Sequence, residues 1–306
     1  MSTHSSLAAE LRSSWLKQAQ RSPLIFAGLV GALLLMLLAI AVSAVSGDNT
    51  VKVTLALMGG TAGFVATVMG ACLALVMSDI SARRQDSMLG FAAGMMLAAS
   101  AFSLILPGVE AGRELFGNSM AAAATVVLGL GLGVLLMLGL DHFTPHEHEV
   151  SGAHGPKFER ISRVWLFVLA ITLHNLPEGM AIGVGFAAGD MSVGLPLATA
   201  IAIQDIPEGL AVALALRTTG LSMGKAVLVA AASGLMEPLG ALLGITMSSA
   251  FAVAYPVSMG LAAGAMIFVV SHEVIPETHR NGHQTPATIG LMIGFAAMMF
   301  LDTALG

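Results

Sequence analysis

Nine apolar runs divide this chain of 306 residues, at approximately 24 to 46, 53 to 78, 88 to 112, 119 to 140, 164 to 187, 192 to 216, 226 to 250, 255 to 275 and 286 to 305. Each is near the ~20 residues that an α-helix needs to cross a bilayer. In lipid, only helices and closed barrels satisfy their own backbone hydrogen bonds, and runs of this length fit helices. A composition of 56% hydrophobic and only 10% charged residues excludes a water-soluble domain of this size. The fold class that follows is an all-α polytopic membrane protein.

Residues 1–23 are polar, but Leu7, Leu11 and Trp15 recur at helical spacing among Arg12, Lys17 and Arg21, which predicts an amphipathic helix on the cytoplasmic membrane surface. The run at 24–46 is too long for the core of an ordinary signal peptide and reads as a genuine span. Ala-Val-Ser-Ala before Gly47 leaves cleavage open. With nine spans, alternate sides of the membrane divide the 13 basic residues unequally: only Lys52 and Arg113 fall on one side. The positive-inside rule then places the N-terminus and the 141–163 loop in the cytoplasm and the C-terminus outside. The single Cys72 excludes an internal disulfide and a cysteine-based zinc site, and within an apolar run it reads as a packing residue. Nothing in the composition suits nucleic acid, since there is no basic tract and aromatic residues make up only 5%. The expected partners are the lipid bilayer and divalent metal ions, with a second copy of the chain as a candidate.

Small residues four apart, as in Gly90 and Gly94, Gly179 and Gly183, Gly240 and Gly244, or Gly290 and Gly294, predict close helix crossings. Against this apolar background, two runs carry the same polar motif. His174-Asn175-Leu176-Pro177-Glu178-Gly179 is followed thirty positions later by Gln204-Asp205-Ile206-Pro207-Glu208-Gly209, and the next run carries Met236-Glu237-Pro238. An ionised carboxylate at the bilayer centre costs at least ~2.5 kcal/mol, so Glu178, Asp205, Glu208 and Glu237 together require compensation. Within each motif the polar residues stand three and four apart and share one helix face. The two helices run in opposite directions, so the copies can face each other about a pseudo-twofold axis in the membrane plane, as in inverted-repeat transporters. Pro177, Pro207 and Pro238 also withhold the amides that would meet the carbonyls of Leu173, Ile203 and Gly234.

Four carboxylates carry a charge of -4, which two divalent cations would neutralise. A donor set of imidazole, amide and carboxylate suits Zn, Fe, Mn or Cd better than copper(I). The alternative at this point is a protonated, hydrogen-bonded polar core that only joins helices.

These motifs resemble the ZIP family of zinc and iron permeases, in its prokaryotic branch, and the resemblance extends to Ser271-His272-Glu273 and the 141–163 loop. It implies an eight-helix bundle in a 3+2+3 inverted repeat over residues 53–306, with 24–46 as one extra N-terminal transmembrane helix, in a bacterial inner membrane. It also implies a binuclear site. One metal falls to His174, Glu178, Gln204 and Glu208, and the other to Asn175, Glu178, Asp205, Glu208 and Glu237. Gln204 departs from the family, many of whose members have His there, and a neutral amide is a weaker zinc ligand.

Residues towards the ends of the spans are candidates for a pathway. Glu110 and Asp302, with Ser103 and Met96, are expected towards an outer entrance. Asp86, Asp141, His272, Glu273 and His283 are expected along an inner release path. In the loop, His146 and His148 lie in a His and acid tract that can bind metal loosely, or serve only as a solvated linker. The expected function is uptake of divalent metal, chiefly zinc, by alternating access. A membrane-embedded zinc metallohydrolase is the second class, although His272-Glu273 lacks the partner histidine of a His-Glu-x-x-His motif. A passive cation channel is the third, and a dense ligand set favours carrier-like turnover over it.

Overall fold

The computed structural model describes residues 20–23, 26–27, 30–31, 50–143, 146–148, 152–154, 163–189, 191–218 and 220–305. Among them are eight long helices: α1 (Thr50–Leu73), α2 (Ala82–Phe116), α3 (Ser119–Phe143), α4 (Arg163–Gly185), α5 (Met191–Thr218), α6 (Met223–Ser248), α7 (Ala254–His279) and α8 (Gln284–Leu305). Seven are long and apolar enough to cross a membrane. The eighth, α4, has 23 residues and so spans roughly 34 Å. The surface helix expected at 1–23, the extra span at 24–46 and the cleavage motif fall almost wholly outside the described residues. Ser22 is an exception, its hydroxyl lying 2.8 Å from His142 Nε2 at the end of α3.

The helices associate as four tight pairs, α1 with α5, α4 with α6, α2 with α8 and α3 with α7. Exchanging α1 with α6, α2 with α7, α3 with α8 and α4 with α5 maps this pairing onto itself, which is the 3+2+3 inverted repeat. Glycine makes the pairs possible. Gly94 of α2 rests against the Leu291 carbonyl of α8, and Gly294 of α8 rests against the Phe91 carbonyl of α2. Without a hydrophobic force to join helices in lipid, such backbone contact lets dispersion and weak Cα–H···O bonds do so.

Proline leaves its mark in three helices. In α2 and α7, which the inverted repeat exchanges, the hydrogen bonding loosens into π-helical turns at Ala99–Ile105 and Val270–Val274, shortly before Pro107 and Pro276. Helix α6 instead tightens at Gly234 and Leu235. There the Glu237 amide donates to the Gly234 carbonyl at 3.1 Å, so this carbonyl is not left free by Pro238 as expected. The i→i+3 bond takes the place of the one that proline cannot make. Cys72 is also not the packing residue expected, because its side chain is exposed on α1. In the loop between α3 and α4, His146–His148 pairs antiparallel with Gly152–His154, bringing His146 opposite His154.

Candidate metal centre

The two motifs lie in the middle of α4 and α5, and these helices continue unbroken through Pro177 and Pro207. Their polar faces converge. Glu178, Asp205 and Glu208 each present a carboxylate oxygen within 4.8 Å of the others, and Glu237 of α6 joins them beside Asp205. Glu178, Gln204, Asp205 and Glu237 are each no more than 1% exposed.

Hydrogen bonds hold one oxygen of Glu178 and one of Glu237, and the second oxygen of Glu237 is among those left unpaired. Gln204 Nε2 donates to Glu178 Oε1 at 2.8 Å, and Thr67 Oγ1 of α1 donates to Glu237 Oε1 at 2.6 Å. Gln204 Oε1, Asp205 Oδ2, Glu208 Oε2 and Glu237 Oε2 are buried with no hydrogen-bond partner among the described residues. An unsatisfied buried oxygen costs about 1–3 kcal/mol, more when charged, and a cation beside these residues would offset that cost. Asn175 Nδ2 reaches Ser233 Oγ at 3.4 Å, and the Ser233 hydroxyl donates to the Ala230 carbonyl at 2.7 Å. A small cavity between these groups is lined by Thr67, Asn175, Asp205, Glu208 and Ser233.

His174 reaches towards α7, where its Nε2 lies 2.9 Å from Glu273 Oε2, and it stays within electrostatic reach of Glu208. Glu273 stands in the π-helical turn next to His272. His272 stacks on Phe268 with ring centroids 5.0 Å apart, and its Nε2 is 3.9 Å from Asp141 Oδ1. Asp86 is buried and accepts from Asn281 Nδ2 at 3.1 Å and bonds His283 Nδ1 at 2.8 Å. Four of the five expected release residues thus form two contacts, one between α3 and α7 and one between α2 and the residue that precedes α8. Glu273 instead meets the motif itself.

On the opposite side, Ser103 Oγ donates to Asp302 Oδ1 at 2.6 Å, tying the π-helical turn of α2 to the last turn of α8. Met96 is a core residue at 1% exposure, packed among the buried side chains of α2 and its neighbours. Glu110 is exposed and forms a surface pair with Arg113 at 3.2 Å. His146 and His148 stand on the short strand of the loop.

Residues 138–302 match the family model described as ZIP Zinc transporter. The chain is 69% identical, over the full length of both proteins, to the zinc transporter ZIPB of Bordetella bronchiseptica. The chain belongs to the ZIP family. Its ZIP relatives include the zinc transporter GufA of Myxococcus xanthus, 42% identical over 82% of this chain and 97% of that protein. Human zinc transporter ZIP11 is 32% identical over 82% of this chain and 97% of its own length. These relatives are named transporters, which removes the metallohydrolase from consideration.

Three residues of this ZIP centre escape a reading by motif. Thr67, Ser233 and Gly63 carry no charge and lie outside the repeated hexapeptide. Gly63 matters through what it lacks, since a Cβ there would run into the Glu237 carboxylate and come within 3.1 Å of Asp205 Oδ2. The four-residue spacing of Gly59 and Gly63 marks a close approach, but not that the approaching group is a carboxylate.

Proposed function

We propose that this ZIP protein carries zinc from outside into the cytoplasm through a binuclear site at mid-membrane. The observation that carries this reading is the convergence of Glu178, Asp205, Glu208 and Glu237 from three helices, with a buried, unpaired oxygen on each of Asp205, Glu208 and Glu237. Two divalent ions balance the four negative charges. One is held by His174, Glu178, Gln204 and Glu208, and the other by Asn175, Glu178, Asp205, Glu208 and Glu237, so Glu178 and Glu208 bridge. Imidazole, amide and carboxylate donors suit zinc and extend the range to Cd, Fe and Mn.

Metal enters past Ser103 and Asp302 and leaves past Glu273, His272, Asp141, Asp86 and His283. His174 links the two regions: it is a ligand when turned towards Glu178 and a partner of Glu273 when turned towards α7. The distribution of basic residues supports an N-terminus in the cytoplasm and a C-terminus outside. The Ser22–His142 contact agrees, because it joins the N-terminal segment to the end of α3 that leads into the loop carrying Lys157, Arg160 and Arg163.

Accumulation of zinc by proteoliposomes tests the proposal, across a panel of divalent ions. The native protein takes up zinc with saturable kinetics, and Glu208→Ala does not. Gln204→His strengthens the first site and lowers the KM for zinc. Uptake by Glu208→Ala at the native rate would exclude the bridging site, and flux that fails to saturate would make the protein a channel.

A further inference from the structure

The backbone contacts of the two motif helices reveal a symmetry that motif spacing alone does not. On α4, Gly179 packs against the carbonyl of Glu237, and Gly240 of α6 packs back against the carbonyl of Leu176. On α5, Gly209 packs against the carbonyl of Thr67, and Gly70 of α1 packs back against the carbonyl of Ile206. Gly179 and Gly209 are equivalent in the repeat, as are Leu176 and Ile206. Gly240 follows Glu237 by three residues, and Gly70 follows Thr67 by three. The inverted repeat therefore exchanges Glu237 with Thr67. One arm of the centre brings a carboxylate and the other, at the same place, a hydroxyl.

These counterparts meet each other. Thr67 is 6% exposed, and its hydroxyl donates to Glu237 Oε1 at 2.6 Å. The other oxygen, Oε2, has no hydrogen-bond partner and lies in the space left by Gly63, beside Asp205 Oδ2. A hydrogen bond to one carboxylate oxygen fixes the rotation of the group, and thereby the direction of the second. Such a bond to a charged acceptor is stronger than a neutral one.

We propose that Thr67 is a positioning residue, the symmetry counterpart of Glu237, which holds Oε1 so that Oε2 faces the second metal position. Resting on the reading of Glu237 as a zinc ligand, this makes the second position more rigid than a carboxylate alone could. It follows the general rule that outer hydrogen bonds orient metal ligands. The repeat also explains why a single carboxylate suffices there: a second one in place of Thr67 would set a fifth negative charge against two divalent ions.

A double-mutant cycle tests the proposal, with zinc binding to purified protein measured beside uptake in proteoliposomes. Thr67→Val removes the donor at nearly constant volume. It is expected to weaken the second zinc-binding event and to raise the uptake KM by roughly tenfold, the loss for one hydrogen bond to a charged group, while Vmax changes less than twofold. Thr67→Ser recovers most of the lost affinity. In a Glu237→Gln background, where the ligand is already lost, Thr67→Val changes neither quantity further. Thr67→Ala, which adds no bulk, reports the same loss if valine disturbs the helix crossing. Equal effects of Thr67→Val with Glu237 present and absent would overturn the positioning role, as would failure of serine to recover affinity. Native zinc binding by Glu237→Gln alone would instead overturn the assignment of Glu237 as a ligand.

Discussion

His174 Nε2 lies 2.9 Å from Glu273 Oε2, so the first residue of the α4 motif is within ion-pairing distance of the π-helical turn of α7. Glu208 is within electrostatic reach of both. On the proposed route, a histidine shared between the metal centre and Glu273 would pass an ion from one to the other.

Separating the two functions of that pair gives the first prediction. Glu273→Gln keeps the shape and removes the charge that draws His174 towards α7. The expected result is a drop in Vmax of roughly fivefold with zinc affinity at equilibrium within about twofold, because release rather than binding is impaired. His174→Ala removes a ligand and raises KM. Initial-rate uptake and equilibrium zinc binding, measured on the same preparations, distinguish the two.

At the other end, Asp302 and Glu110 should behave differently although both are carboxylates on the side proposed as the entrance. Asp302 accepts from the buried Ser103 hydroxyl, whereas Glu110 is an exposed partner of Arg113. Asp302→Asn should raise the KM for zinc several-fold and Glu110→Gln should leave uptake within experimental scatter, since exposed pairs contribute roughly 0–1 kcal/mol. Uptake at zinc concentrations below KM is the sensitive measurement.

Gly63 makes a sharper test of packing at the centre. A Cβ at this position occupies the place of the Glu237 carboxylate, so Gly63→Ala must turn Glu237 away from Asp205. Zinc uptake should fall by tenfold or more, on the order of the loss of one charged ligand contact. Gly131→Ala, whose Cβ meets nothing within 4 Å, should leave uptake unchanged. Parallel uptake assays on the two alanine variants decide the point.

The structural glycines carry a separate prediction. Gly294→Val drives a branched side chain into the backbone of α2 at Phe91 and should destabilise the α2–α8 pair by about 1–3 kcal/mol or more. Thermal unfolding in detergent should show a lower Tm for Gly294→Val than for Gly131→Val, which faces open space.

Much of this was legible in the sequence because membrane burial makes polar residues conspicuous. Glu178, Asp205, Glu208 and Glu237 had to converge, since none is tolerated alone in lipid. Spacing of three and four located their common face. Thr67 and Ser233 gave no such signal, because a hydroxyl in a membrane helix ordinarily bonds the carbonyl one turn back and needs no distant partner. Only the folded chain brings Thr67 across 170 positions to Glu237. The π-helical turns were hidden for a similar reason: inserting a wider turn does not alter an apolar run. The prolines of the motifs did not mark the places either: the helices run unbroken through Pro177 and Pro207, whereas the backbone widens before Pro107 and Pro276 and tightens before Pro238.

Anomalous diffraction at the zinc edge, from crystals of the zinc-loaded protein, tests the binuclear reading most directly. Two peaks are expected, each within about 2.0–2.2 Å of a carboxylate oxygen of Glu178 and of Glu208, with Glu237 bound only to the second. Zinc bound elsewhere, with Glu178 and Glu208 free of metal, would contradict it.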